Sequence, residues 1–193
     1  MNIVDRAKNM ILQPKQEWQV IDGETHTVKD LYLNYAMILA AIPAVAAFIG
    51  FSIVGLGGLL SQYRIPIPSG IAMMIVKYVL SLASVYVLAL IIDALATNFA
   101  SQKNFMQALK LSVFAMTAAW LAGIFSILPA LAILGLLGLY SLYVLYLGLP
   151  VLMKTPTDKV LPYFVVILIA AVVVHVVIGA LASLTIPGTL RGF

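Results

Sequence analysis

Residues 111–153 run for 43 positions without one charged side chain, and this run limits what the chain can become. A helix crossing a ~30 Å hydrocarbon core needs about 20 residues, so the stretch is too long for one crossing. Pro129 lies near its middle, where a missing backbone donor ends a helix. The run therefore reads as two spans joined by a tight turn at 126–130, which makes them antiparallel neighbours. Three further apolar segments stand beside it: 31–63 without charge, 71–98 interrupted by Lys77 and Asp93, and 160–190 with only His175. Overall 63 % of residues are hydrophobic and 9 % charged. A water-soluble domain carries about a quarter charged residues, so this chain is solvated by lipid.

The expected fold is an all-α membrane protein. It is a bundle of five transmembrane helices, at about 31–60, 71–97, 106–128, 131–153 and 160–186, with an N-terminal amphipathic interfacial helix. Residues 1–30 form a cytoplasmic segment, 31–186 the bundle and 187–193 a short periplasmic tail. Open sheets cannot satisfy their backbone in lipid, and the alternation of a barrel is absent. No apolar run of signal-peptide type occurs among the charges of the first thirty residues. With zero cysteines there is no thiolate metal site and no disulfide.

Lys and Arg set the orientation. With five spans, the N-terminal segment and the 98–110 and 154–159 connections share one side. That side holds Arg6, Lys8, Lys15, Lys29, Lys103, Lys110, Lys154 and Lys159; the other holds Arg64, Lys77 and Arg191. The N-terminus is therefore expected in the cytoplasm, with a basic rim that favours anionic lipid headgroups. The lysines are scattered over three connections, so nucleic acid is not an expected partner.

Ile3, Val4, Ala7, Met10 and Ile11 fall at helical spacing opposite Asp5, Arg6 and Lys8, the pattern of a helix lying in the headgroup layer. Pro14 ends it or opens a second turn that carries Trp18 and Ile21. Trp18 is the expected interfacial anchor, packed near the 154–159 connection or the headgroups, with Lys15 and Glu17 facing water. Thr27 and Asp30 have capping-box spacing. In the first span Ala36, Ala40 and Ala44 form a small-residue face; the third span carries two such faces, Ala115/Ala119/Gly123 and Ala118/Ala122/Ser126. The third span is therefore expected at the bundle centre.

Ionisable groups inside a span are functional candidates. Lys77 and Asp93 are sixteen residues apart on one helix, about 24 Å of rise, so they cannot pair. Lys77 snorkels to the outer boundary. Asp93 is a candidate ion or partner site, or is tied by Lys103, Lys110, Lys154 or the N-terminal segment. His175 lies on a small-residue face at a depth similar to Tyr140, Tyr143 and Thr117, and these four make a candidate polar cluster. Two widely separated histidines make a metal site improbable. No HExxH, GxSxG or Walker loop occurs, so no cofactor and no catalysis are expected.

The run ILQPKQEWQVIDGET with Pro14, Trp18 and Ile21, the pair Ile42-Pro43, the turn at Pro129 and YxxYxxYLGLP at Tyr140, Tyr143, Tyr146, Gly148 and Pro150 together resemble the bacterial Yip1-domain family of inner-membrane proteins. The resemblance implies five membrane helices with a cytoplasmic N-terminus and supplies no catalytic residues to carry over. The expected function is a non-catalytic inner-membrane protein that organises membrane protein partners, further copies of itself or lipids. The alternatives are a small-solute or ion transporter with a polar path through Asp93 and His175, and a lipid-modifying enzyme with a lateral opening.

Overall fold

The computed structural model describes residues 2–55 and 64–183, with side chains at all of these except 175, 178 and 181–183. Seven helices follow one another among the described residues. Two are short: α1 (Ile3–Leu12) and α2 (Pro14–Gly23). Five are long and apolar enough to cross a membrane: α3 (Val28–Val54), α4 (Ile67–Phe99), α5 (Phe105–Ile127), α6 (Pro129–Leu152) and α7 (Thr157–Ser183). The chain is thus an all-α membrane bundle. The expected tail at 187–193 lies outside the described residues.

Local sequence explains where the helices begin and end. The Asn2 side chain accepts from the Val4 amide and caps α1. Pro14 occupies the first turn of α2, where its missing amide hydrogen breaks no helical bond. The capping box expected from spacing forms in full at the start of α3: Thr27 accepts from the Asp30 amide and the Asp30 carboxylate accepts from the Thr27 amide. At the far end of α3, Gly55 adopts φ 93°, a conformation that favours glycine. Leu128 alone separates α5 from α6, with Pro129 opening the second helix. This is the tight antiparallel turn that the sequence requires.

The small residues set how closely the helices approach. Ala36, Ala40 and Ala44 are all buried. A side chain added at Gly123 of α5 would overlap the Pro43 ring of α3. The central position of α5 is plain from burial: two thirds of its apolar window (67 %) is covered by the rest of the chain, against 17–33 % in the other four spans. It packs on α3, α4 and α6. Gly123–Ile127 and Pro129–Leu139 are wound as 3-10 helix, and the second of these runs exposes Ile133, Leu136 and Leu137. An eleven-residue 3-10 run is long for that geometry, and its outward apolar side chains suit a lipid environment.

The largest departure from the sequence reading is at the N-terminus. α1 and α2 fold back on each other as a helical hairpin that packs against α5 and α6. At its tip the Tyr140 hydroxyl donates to the Ile11 carbonyl at 2.9 Å. Tyr140 is roughly 18 Å along the bundle from Leu152, the end of α6, at ~1.5 Å per residue. At the hairpin's other end the Gln107 amide and the Lys154 ammonium both reach Asp22. The hairpin therefore lies lengthwise along the bundle, not across its end.

Candidate functional site

The hairpin is held by a polar clamp and a packed aromatic seat, and together these gather most of the buried charge. In α1, Ile3, Arg6, Ala7 and Met10 share one helical face; in α2, Pro14, Glu17, Trp18 and Ile21 follow i, i+3, i+4, i+7. Both charged residues thus sit on the apolar stripes, and the hairpin brings the stripes together. Arg6 and Glu17 are both about 95 % buried and pair at 2.5 Å. A second guanidinium nitrogen of Arg6 donates to Glu24 at 2.5 Å. Asn9 donates to the other Glu17 oxygen, and His26 meets Glu24 at 3.0 Å. The Arg6 guanidinium also lies 5.4 Å from the centre of the Phe114 ring on α5. A buried charge is tolerated when it is paired and its remaining hydrogen bonds are filled, and this network meets both conditions.

Lys110 extends the clamp to α5. Its ammonium is buried and donates to the carbonyls of Ile21 and Glu24. These carbonyls sit at the C-terminal end of α2, where a cation meets the negative end of the helix dipole. Lys154 and Gln107 hold Asp22 from the other side. Lower down, Trp18 is fully buried and donates its indole N–H to the Val144 carbonyl of α6 at 3.0 Å. A side chain added at Gly148 would overlap Leu111 and come within 2.8 Å of the Trp18 ring. The glycine of YLGLP is the floor of the tryptophan seat.

This arrangement corrects the sequence reading at two points. Glu17 does not face water with Lys15; it is buried because Arg6 turns inward to meet it. Trp18 anchors the hairpin to α6 at Val144 and Gly148, inside the bundle and about two turns short of the 154–159 connection. Arg6, Glu17 and Lys110 were missed as a set because each was read as part of a solvated or basic face. Their positions on apolar stripes were the available signal.

The proposed polar cluster does not assemble among the described side chains. Thr117 shares a 2.7 Å hydrogen bond with Tyr35 of α3 and donates to the Phe114 carbonyl. Tyr140 is taken by Ile11, and Tyr143, whose ring lies tilted against that of Tyr140, is exposed. The His175 side chain lies outside the described residues. Asp93 meets none of its expected partners, because Lys110 and Lys154 are engaged by the hairpin. One Asp93 oxygen is buried without a hydrogen-bond partner, close to Tyr163, whose hydroxyl donates to the Ile92 carbonyl. No group of three or more metal-ligating side chains occurs among the described residues.

Openings flank α1. A polar cavity of about 180 Å³ is lined by Arg6, Glu24, His26, Asp30, Asn34 and Tyr35, among others. An apolar groove of about 560 Å³ lies between α1 and α3 and reaches Leu121. Neither is lined by Asp93.

Glu24 gives the clamp a pH dependence. Burial raises its pKa, but the hydrogen bonds from Arg6 and His26 outweigh that effect and hold it below the ordinary 4.5. A carboxylate with a depressed folded pKa contributes stability that is complete above its unfolded value and lost as pH falls through the folded one. Thermal melts in detergent are therefore expected to hold level from pH 7 to 5 on this account and to drop below 4.5. Glu24→Gln should lower the melting temperature at pH 7 and flatten the acid limb. An acid limb unchanged in Glu24→Gln would remove Glu24 from the clamp.

Comparison with known proteins agrees with this architecture. The Yip1 domain model matches residues 8–179, from within α1 into α7. Inner membrane protein YohC of Escherichia coli strain K12 is 28 % identical over 117 residues, covering 60 % of this chain and 60 % of that protein. The YohC protein of strain CFT073 gives the same values. The alignment thus spans about three fifths of the length of these curated relatives. No solved structure matches the chain significantly. The match of the Yip1 model runs through the tryptophan seat, the Pro129 turn and all five spans, and on it this chain belongs to the Yip1-domain family.

Proposed function

We propose that this protein is a non-catalytic component of the bacterial inner membrane that organises membrane protein partners or lipids. Its N-terminus is cytoplasmic, on the side that the lysines of the 98–110 and 154–159 connections mark as positive. One observation carries this reading: the buried ionisable groups Arg6, Glu17 and Lys110 are bonded to one another or to the backbone of the hairpin. They serve a fixed architecture and leave no free acid, base or nucleophile there. The name of the Escherichia coli relatives supports the compartment.

The transporter reading rests on a polar path through Asp93 and His175. The unpaired Asp93 oxygen favours it; the openings beside α1, which do not include Asp93, do not. Purification from native membranes after crosslinking separates the two. A stoichiometric membrane protein partner or a retained lipid is the expected outcome. Solute or proton flux in liposomes that is abolished by Asp93→Asn would overturn the scaffold reading.

A further inference from the structure

The polar cavity and the apolar groove beside α1 are two parts of one trough. Ile3 lines both. On α3, Leu31, Asn34 and Tyr35 line the polar part, and Ile38, Leu39 and Ile42 line the apolar part. These six lie on successive turns of one helical face. The trough is thus polar at the end of the bundle that carries the N-terminal segment and apolar toward the middle. From Leu31 to Ile42 it is roughly 16 Å long at ~1.5 Å per residue, about half of a ~30 Å hydrocarbon core. Its outer edge is open: Val4, Leu12 and Ile38 are all exposed.

A trough one leaflet deep, with polarity graded along it, is shaped for an amphiphile lying parallel to the helices. The chemistry of its head end selects the headgroup. Two carboxylates, Glu24 and Asp30, and one guanidinium, Arg6, line that end beside His26. Arg6 is already shared between Glu17 and Glu24, which leaves the carboxylates of the head end short of cations. Asp30 is exposed and is bonded only within its own turn, to Thr27, so its outward lone pairs are available. Lys8 is exposed on the groove and offers a cation at its rim.

We propose that this trough holds one amine-headed phospholipid, with an acyl chain in the groove and its ammonium facing Asp30 and Glu24. The phosphate lies toward Lys8. The inference rests on the reading of this protein as a non-catalytic organiser and names the lipid class that it takes. Binding needs no change in the clamp, since Arg6 and Glu17 remain paired beneath the headgroup.

The test uses the full chain reconstituted in nanodiscs of equal phosphatidylethanolamine and phosphatidylglycerol, then released into mild detergent for native mass spectrometry. One retained phosphatidylethanolamine is expected, enriched at least several-fold over phosphatidylglycerol. Ile38→Trp, which fills the exposed side of the groove, should abolish retention with an unchanged melting temperature. Asn34→Lys, which adds a cation to the head end, should reverse the preference toward phosphatidylglycerol. Equal retention of the two lipids by the unmodified chain would overturn the proposal whatever the variants do. So would an Ile38→Trp chain that folds and still retains lipid. A chain that retains no lipid but co-purifies with a protein partner sinks the lipid site and leaves the scaffold reading standing.

Discussion

Arg6→Ala is expected to destabilise the fold by about 3–5 kcal/mol, the usual effect of removing one partner of a buried ion pair. Glu17 would be left buried with only Asn9 as a donor, and Glu24 would keep only His26. The loss is larger than deletion of an exposed pair, which is worth about 0–1 kcal/mol. Exposed pairs such as Lys159–Asp158 serve as the internal control, and Lys159→Ala should change little. The interpretation can be tested further with Arg6→Met in the presence of Glu17→Leu. Removing both charges also removes the uncompensated carboxylate, so the double variant should be more stable than Arg6→Met alone. Melting temperatures in detergent decide this. A double variant as damaged as the sum of its parts would mean that the two charges are not coupled.

Trp18→Ala should cost a similar amount, about 3–5 kcal/mol, from lost burial and the cavity that remains. It also removes the donor to the Val144 carbonyl, in a helix where Pro150 already withholds one amide hydrogen. The complementary change is Gly148→Leu on α6. No rotamer of that side chain avoids both Leu111 and the indole, so the hairpin should detach while the five spans persist. Limited proteolysis then reads the two states directly. The unmodified chain should resist cleavage between α1 and α2, whereas Gly148→Leu should be cut there with the remaining spans intact. Equal resistance in both would show that Trp18 is not the seat that holds the hairpin.

The five spans were legible because a lipid environment leaves few choices. An uncharged run of 43 residues with a proline inside it can only be two helices and a turn, and the small residues at every fourth position of α3 and α5 marked the closely packed faces. The hairpin was not legible for a different reason. An amphipathic helix signals that one face is buried, but the pattern is the same whether the burying surface is lipid or protein. Charges within the first thirty residues suggested water on the other side. Arg6 at the centre of the Ile3–Met10 stripe, and Glu17 between Pro14 and Trp18, carried the contrary signal. A charge on an apolar stripe needs a partner, and a partner eleven residues away requires the chain to turn back. The Thr117–Tyr35 bond was missed similarly: depth along a helix says which residues are level, and only the packing of α3 on α5 says which of them meet.

The central claim is that the N-terminal hairpin lies lengthwise along the bundle as part of it. The chain has no cysteine, so an introduced pair reports proximity without background. Leu12 at the hairpin tip and Leu121 of α5 line the same groove. In membranes containing the Leu12→Cys, Leu121→Cys chain, a bifunctional maleimide long enough to span the groove should join the two cysteines within one chain in most molecules. If both cysteines react with a monofunctional thiol reagent yet the bifunctional one never joins them, α1 lies elsewhere, and the clamp, the tryptophan seat and the lipid trough fall with it.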